Sequence, residues 1–190
     1  MMSKVVKFGG SSLANARQFK KAGEIIRKDA SRRYVIPSAP GKRTPKDTKV
    51  TDMLYSCYGQ AILAYDDNDD EHDEHQENFD ILLRKIRERY QSIIEELSLD
   101  LSLDEEFKVI YENFSRKIGR DYAASRGEYL NGKIMAAYLG YEFIDAAEVI
   151  FFGSDGNFDS GKTNAVLSER LAAVERAVIP GFYGSMPDGK

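Results

Sequence analysis

The sequence holds one cysteine, Cys57, in 190 residues. No disulfide framework can therefore hold the fold, and the chain suits a reducing compartment. Histidine is nearly as scarce, with two in all, which leaves little from which to build a metal centre. No apolar run approaches the ~20 residues that a membrane span needs. The opening Met1-Met2-Ser3-Lys4 leads directly into a strand, without the pattern of a secretory leader. A net charge of −4 provides no general attraction for nucleic acid or an anionic membrane. The remaining composition, 42% hydrophobic and 31% charged, supports a real core and excludes a disordered chain. The expectation is a cytoplasmic domain of ordinary size with neither nucleic acid nor membrane as partner.

Against those absences stands one chemically loaded stretch, Lys7-Phe8-Gly9-Gly10-Ser11-Ser12. Val5-Val6 before it suits a short buried strand, and Leu13 to Ile26 after it repeats with a helical period. A strand that breaks at two glycines and passes into a helix is a geometry for holding phosphate. Glycine lets the backbone approach an anion with no Cβ in the way. The free N–H groups of a helix start, at the positive end of its dipole, complete the cradle. Lys7 adds a point charge, and Ser11 and Ser12 add hydroxyls. The same letters also describe an ordinary turn between strand and helix.

Along the chain, Ala14 to Lys28 reads as a helix and Tyr34-Val35-Ile36 as a strand ending at Pro37. A basic loop follows from Ser38 to Lys46, placed with the glycine loop at the carboxyl edge of a βαβ unit, where such sheets bind ligands. Thr51 is placed to cap a helix that runs to Tyr65. The run from Asp66 to Glu77 carries eight acids and no Lys or Arg; it reads as a solvated loop, since it lacks the glycine and terminal Glu of a calcium loop. Two helical stripes follow, Phe79 to Leu97 and Leu103 to Ile118, the second opened by Ser102 and Glu105 as a capping box. They are expected to form a helical hairpin inserted at about 66–118. Ser125-Arg126-Gly127-Glu128 is a second capping box, before a helix ended by Gly140. Phe143-Ile144, Val149 to Phe152 and Ala177 to Ile179 read as strands, with a helix over Thr163 to Val174 and a glycine loop at Gly181 to Gly184. This alternation predicts a three-layer αβα sandwich with a mainly parallel sheet.

Gly156 to Thr163 matches the phosphate-loop pattern of P-loop NTPases letter for letter. Asp155 and Asp159 argue against that use, because two carboxylates beside a phosphate nest repel the ligand. No later strand ends in a magnesium-binding Asp.

Taken in order, the motifs resemble the N-terminal part of the aspartate kinases, in the amino acid kinase family. The resemblance rests on Lys7 to Ser12, Ser38-Ala39, Val50-Thr51-Asp52, Ser125 to Glu128, Asp145-Ala146 and Gly181 to Gly184. It implies transfer of the γ-phosphoryl group of ATP, with Mg2+, to the β-carboxylate of L-aspartate, giving an acyl phosphate. It assigns Lys7, Phe8, Gly9, Gly10, Ser11 and Gly184 to the nucleotide phosphates, with Lys7 catalytic, and Ser38, Thr51 and Glu128 to the amino acid. It assigns no metal ligand, and implies a homo-oligomer in the full-length enzyme. Members of that group run well past the length of this chain, through a nucleotide-binding half and regulatory ACT domains. The piece alone is therefore expected to be inactive. Other readings are a kinase of another amino acid, a P-loop NTPase, and a non-catalytic fragment that dimerises.

Overall fold

The computed structural model describes residues 3–66 and 71–190. Successive side chains of a strand point to opposite faces, and here the two faces feed separate cores. Strands β1 (Lys4–Phe8), β2 (Arg32–Pro37), β3 (Glu142–Phe143) and β4 (Ala177–Val178) form a parallel sheet in the order β1-β2-β4-β3. Val35 and Val178 enter the larger core. Their neighbours Tyr34, Ala177 and Ile179 enter the smaller one.

The larger core lies under α1 (Ala16–Arg27), α2 (Val50–Ala64), α3 (His72–Glu96), α4 (Asp104–Ser115) and α5 (Arg120–Leu139). The smaller lies under α6 (Ala146–Val149) and α7 (Ser160–Ala172). Helices on both faces make the three expected layers. Phe79, Tyr90 and Phe114 are fully buried in the larger core, each worth about 1.5–3 kcal/mol of burial. Helix α3 lies alongside α2, and its rings also meet α4, Phe79 against Phe114 and Tyr90 against Phe107. The segment expected as a hairpin thus shares one core with α1 and the sheet. Helix α5 is buried over most of its circumference, with Ser125, Glu128 and Asn131 among its buried residues. Gly140, in the left-handed conformation, ends it as expected.

Several local expectations give way. The glycine bend passes first into a 3₁₀ turn, Gly10–Leu13, and α1 starts only after Asn15, whose side chain accepts from the Gln18 amide. Thr51 is the second residue of α2, not its cap; Lys49 stands at the cap without a side-chain bond, and the Val50 amide donates to the Pro40 carbonyl. Helix α5 begins at Arg120, so Ser125 to Glu128 lie inside it, and the Ser125 hydroxyl donates to the Tyr122 carbonyl. The cap pattern is ambiguous because the residues before it also favour a helix: Arg126 stacks on Tyr122 one turn earlier and on Tyr129 one turn later. Ser102 accepts from the Asp104 amide, two residues on, and α4 starts there.

Val149 to Phe152 is not a strand. Asp145 accepts from the Ala147 amide and starts the single turn α6, after which Phe151 and Phe152 make only isolated bridges, to Ser185 and Phe158. In the acidic run, residues 67–70 lie outside the described residues, while 72–77 are the first turns of α3 and not a loop. Asp73 and Glu74 sit there at the positive end of the helix dipole, which stabilises them. No helix among the described residues is long and apolar enough to cross a membrane.

Candidate active site

Parallel pairing places the carboxyl ends of β1 and β2 side by side, Lys7 opposite Ile36 and Phe8 opposite Pro37. Two loops leave that edge together. The Ser38 amide donates to the Phe8 carbonyl at 3.0 Å, and the Gly41 amide to the Gly10 carbonyl at 2.8 Å. The contact needs glycine on both sides. A Cβ on Gly10 would stand 2.7 Å from the Ala39 oxygen, and one on Gly41 would stand 2.6 Å from the Gly10 carbonyl carbon. The donor of the first 3₁₀ bond is the Ser12 amide. The Gly10 and Ser11 amides precede it, as the unsatisfied donors of a helix start do.

Helix α5 closes the other side. The Ala39 amide donates to Glu128 Oε1 at 3.1 Å, and Asn131 Nδ2 donates to the Ser38 carbonyl at 2.6 Å. Glu128 and Asn131 are one turn apart on the same face, and both are buried. Each keeps a buried acceptor, Glu128 Oε2 and Asn131 Oδ1, without a protein partner. Buried acceptors of this kind are uncommon, and an ordered water or a bound group can supply the missing donor. Burial raises the Glu128 carboxyl pKa above its ordinary value, against the pull of the Ala39 N–H and the positive charge of Lys7. Lys7 and Glu128 therefore act on one another electrostatically. Thr51 lies on the same side of α5: a Cβ on Gly127 would stand 3.9 Å from its hydroxyl.

The sequence-derived candidates thus fall into two places. Lys7, Phe8, Gly9, Gly10, Ser11, Ser38, Thr51 and Glu128 gather where the two loops meet α5. Gly184 does not join them; it packs against the Ile150 backbone, where a Cβ would meet the carbonyl oxygen at 2.5 Å. It lines a separate cavity of about 830 Å³ with Tyr55, Arg126, Asp145, Phe182 and Tyr183. In that cavity Tyr183 donates to Asp145 at 2.8 Å, and Phe182 is exposed with a φ of 77°. Among the described residues no group of three or more His, Cys, Asp or Glu is placed to hold a metal ion.

The segment with the P-loop letters is closed on itself. Asp159 accepts from the Lys162 amide, Thr163 is buried and accepts from the Phe151 amide, and the Lys162 ammonium lies 3.9 Å from the centre of the Phe151 ring. The groups that would hold a phosphate are already engaged, with a carboxylate in the nest.

Sequence reading missed Arg89, Asp47 and Asn131. Arg89 had a signal: a cation on the apolar stripe of Ile86, Tyr90 and Ile93. Asn131 had a weaker one, three residues after Glu128. Asp47, in an irregular loop, had none. Its carboxyl is held well below the usual range by Arg43 first and by Arg89.

The amino acid kinase family matches residues 2–190 of the chain. Aspartokinase 3 of Bacillus subtilis (strain 168) is 34% identical over 198 residues, covering 98% of this chain and 41% of that protein. The aspartokinase of Chlamydia trachomatis serovar D is 27% identical over 203 residues, again with 98% and 41% covered. Among solved structures, the aspartate kinase of Clostridium acetobutylicum superposes on all of this chain and 41% of its own, with a TM-score of 0.88 at 46% identity. Aspartokinase III of E. coli, solved with aspartate and ADP, shares the fold at a TM-score of 0.70 and 21% identity, over all of this chain and 42% of its own. The chain thus spans about two fifths of the length of these relatives.

Proposed function

The chain belongs to the amino acid kinase family, and from that membership we propose that it forms part of an aspartate kinase, which moves the γ-phosphoryl group of ATP to the β-carboxylate of L-aspartate. The observation that carries the reading is Glu128, a buried carboxylate with one oxygen unpaired, within the field of Lys7 and beside the glycine bend. A substrate ammonium supplies the donor that Glu128 Oε2 lacks, with Asn131 Oδ1 one turn away. Thr51 and Ser38 flank it on the same side.

A carboxylate is already ionised at neutral pH, so the acceptor needs no strong base. Catalysis is then positioning and neutralisation of charge on the transferring group. Lys7 supplies the cation, and Gly9, Gly10 and Ser11 bring backbone close to the phosphates. Gly184 reaches this site only if the nucleotide extends toward its cavity. Magnesium enters as the counter-ion of the nucleotide, and Glu128 Oε2 is given in this reading to the substrate ammonium. The biosynthetic role, cytoplasmic location and homo-oligomeric state follow from the same reading.

The test is to incubate the intact protein with MgATP and a panel of amino acids and trap acyl phosphate with hydroxylamine. Hydroxamate formed with L-aspartate, and lost in Lys7→Ala with the fold kept, is the expected result. Hydroxamate with another amino acid alone reassigns the acceptor. Normal turnover by Lys7→Ala removes the assigned role.

A further inference from the structure

We propose that Arg89 is a positioning residue that fixes the glycine bend from α3, by gripping both chain segments that pack at Gly10 and Gly41. It rests on the kinase reading above for its kinetic consequence, but not for its geometry. Arg89 Nη1 donates to Asp47 Oδ2 at 2.7 Å, and Nη2 donates to the carbonyls of Gly41 at 2.6 Å and Ala14 at 3.2 Å. Gly41 is the residue whose amide bonds Gly10, and Ala14 closes the 3₁₀ turn that begins at Gly10. One planar group thus spans the outgoing ends of both loops and holds the basic loop a second time, through Asp47. Lysine has no such fork; it offers a point charge on a flexible stem.

Stability alone does not explain an arginine here. Its side chain is 2% exposed, and its Nε is buried with no partner. Burial opposes its charge more strongly than Asp47 favours it. Apolar residues in place of both Arg89 and Asp47 would continue the stripe of Ile86, Tyr90 and Ile93 into the core, and replacing a whole buried ion pair in that way is often neutral or stabilising. What an apolar side chain cannot do is hold two backbone carbonyls and a carboxylate at once, tying the turn at Ala14 to the loop that carries Gly41 and Asp47. Asp47, in turn, is also clasped by Arg43, through both its backbone and its side chain, so the anchor is itself fixed.

The experiment compares Arg89→Met with wild type in the intact protein. Without ligand, amide exchange over residues 9–14 and 38–42 is expected to quicken by at least about tenfold, while α5 and the sheet keep their protection. With MgATP, kcat/KM for nucleotide is expected to fall on the order of a hundredfold, as displacement of a positioned group by about 1 Å does. The melting temperature is expected to fall by a few degrees, because the substitution leaves Asp47 and the Gly41 and Ala14 carbonyls short of a donor. Unchanged exchange and kinetics overturn the proposal. So does a loss of protection spread evenly over the loops, α5 and the sheet, which marks Arg89 as ordinary structural support. If the Met variant does not fold, Arg89→Lys is read by the same two measurements, with loop protection equal to wild type counting against the proposal. A wild-type protein without kinase activity defeats the functional reading, while the exchange result still decides the role of Arg89.

Discussion

The carboxylate of Glu128 accepts a hydrogen bond from the Ala39 amide at 3.1 Å, joining the middle of α5 to the loop after β2 across 89 residues of sequence. One carboxylate oxygen is thereby committed to the fold, and the other is buried with nothing to accept from. That division makes Glu128 both a fixed wall of the site and an unsatisfied one. On the proposed reading a substrate ammonium completes it.

Glu128→Gln keeps the shape and removes the charge. In the intact enzyme, kcat/KM for the amino acid is expected to fall on the order of a hundredfold, about 3 kcal/mol, as for one lost partner of a buried charge pair. Steady-state kinetics with aspartate varied at saturating ATP checks this. A change confined to the nucleotide KM contradicts the assigned role.

The same substitution has a stability signature. Burial raises the Glu128 pKa above its ordinary 4.5. Between the unfolded and folded values the native state holds more protons than the unfolded one, so stability falls as pH rises through that window. Glu128→Gln removes this loss. Urea denaturation at about pH 4 and about pH 7 is therefore expected to show the variant gaining on wild type at the higher pH. A pH-independent difference argues against a raised pKa.

Lys7 is exposed on β1, so Lys7→Met is expected to leave melting unchanged. Phosphoryl transfer is expected to fall about 10²–10³-fold, the scale of removing one group that stabilises transition-state charge. Parallel thermal scans and initial rates decide it, and a fall in both together would point to a structural lysine.

The two glycines of the bend are not equivalent. Gly10→Ala drives a Cβ to 2.7 Å from the Ala39 oxygen, whereas Gly9 has nothing within 4 Å and a φ of −75°. Overpacking predicts a loss of about 1–3 kcal/mol for Gly10→Ala, read as roughly 2–4 °C of melting temperature per kcal/mol. Gly9→Ala is expected to stay within about 0.5 kcal/mol. Equal losses would mean that the loops do not meet as described.

Cys57 is fully buried in α2, and burial, with the charge of Asp80, pushes its thiol pKa up to about 12. Native protein is expected to resist a thiol-labelling reagent at about pH 8 and to react fully in denaturant, because only the thiolate is nucleophilic. Rapid labelling of native protein would show that α2 opens locally.

The sheet-building segments and the glycine bend were legible because each rests on local chemistry. Val5-Val6 and Tyr34-Val35-Ile36 are β-branched or aromatic runs between turn signals, and the bend carries its own glycines; the expected burial of Val5-Val6 does not hold, because β1 is the edge of the sheet and Val5 is exposed. Helix boundaries were less legible. Ser125-x-x-Glu128 has the letters of a helix start, yet the turn before it packs well enough to extend the helix to Arg120. The apolar Val149 to Phe152 has the letters of a strand, but Asp145 caps a helical turn first, and among the described residues only isolated bridges to Ser185 and Phe158 follow.

The sequence by itself determined which residues are candidates for the chemistry: a lysine at a strand end, two glycines after it, a carboxylate in a later helix. Short-range patterning specifies such things because strand alternation, turn residues and helical period act over a few neighbours. Only the tertiary structure decided that Glu128 faces the Ala39 amide, that Arg89 reaches across to Gly41 and Ala14, and that Gly184 stands elsewhere. Those relations depend on how helices seat against one sheet edge, and burial, which leaves one oxygen of Glu128 without a partner, exists only once distant segments have closed around it.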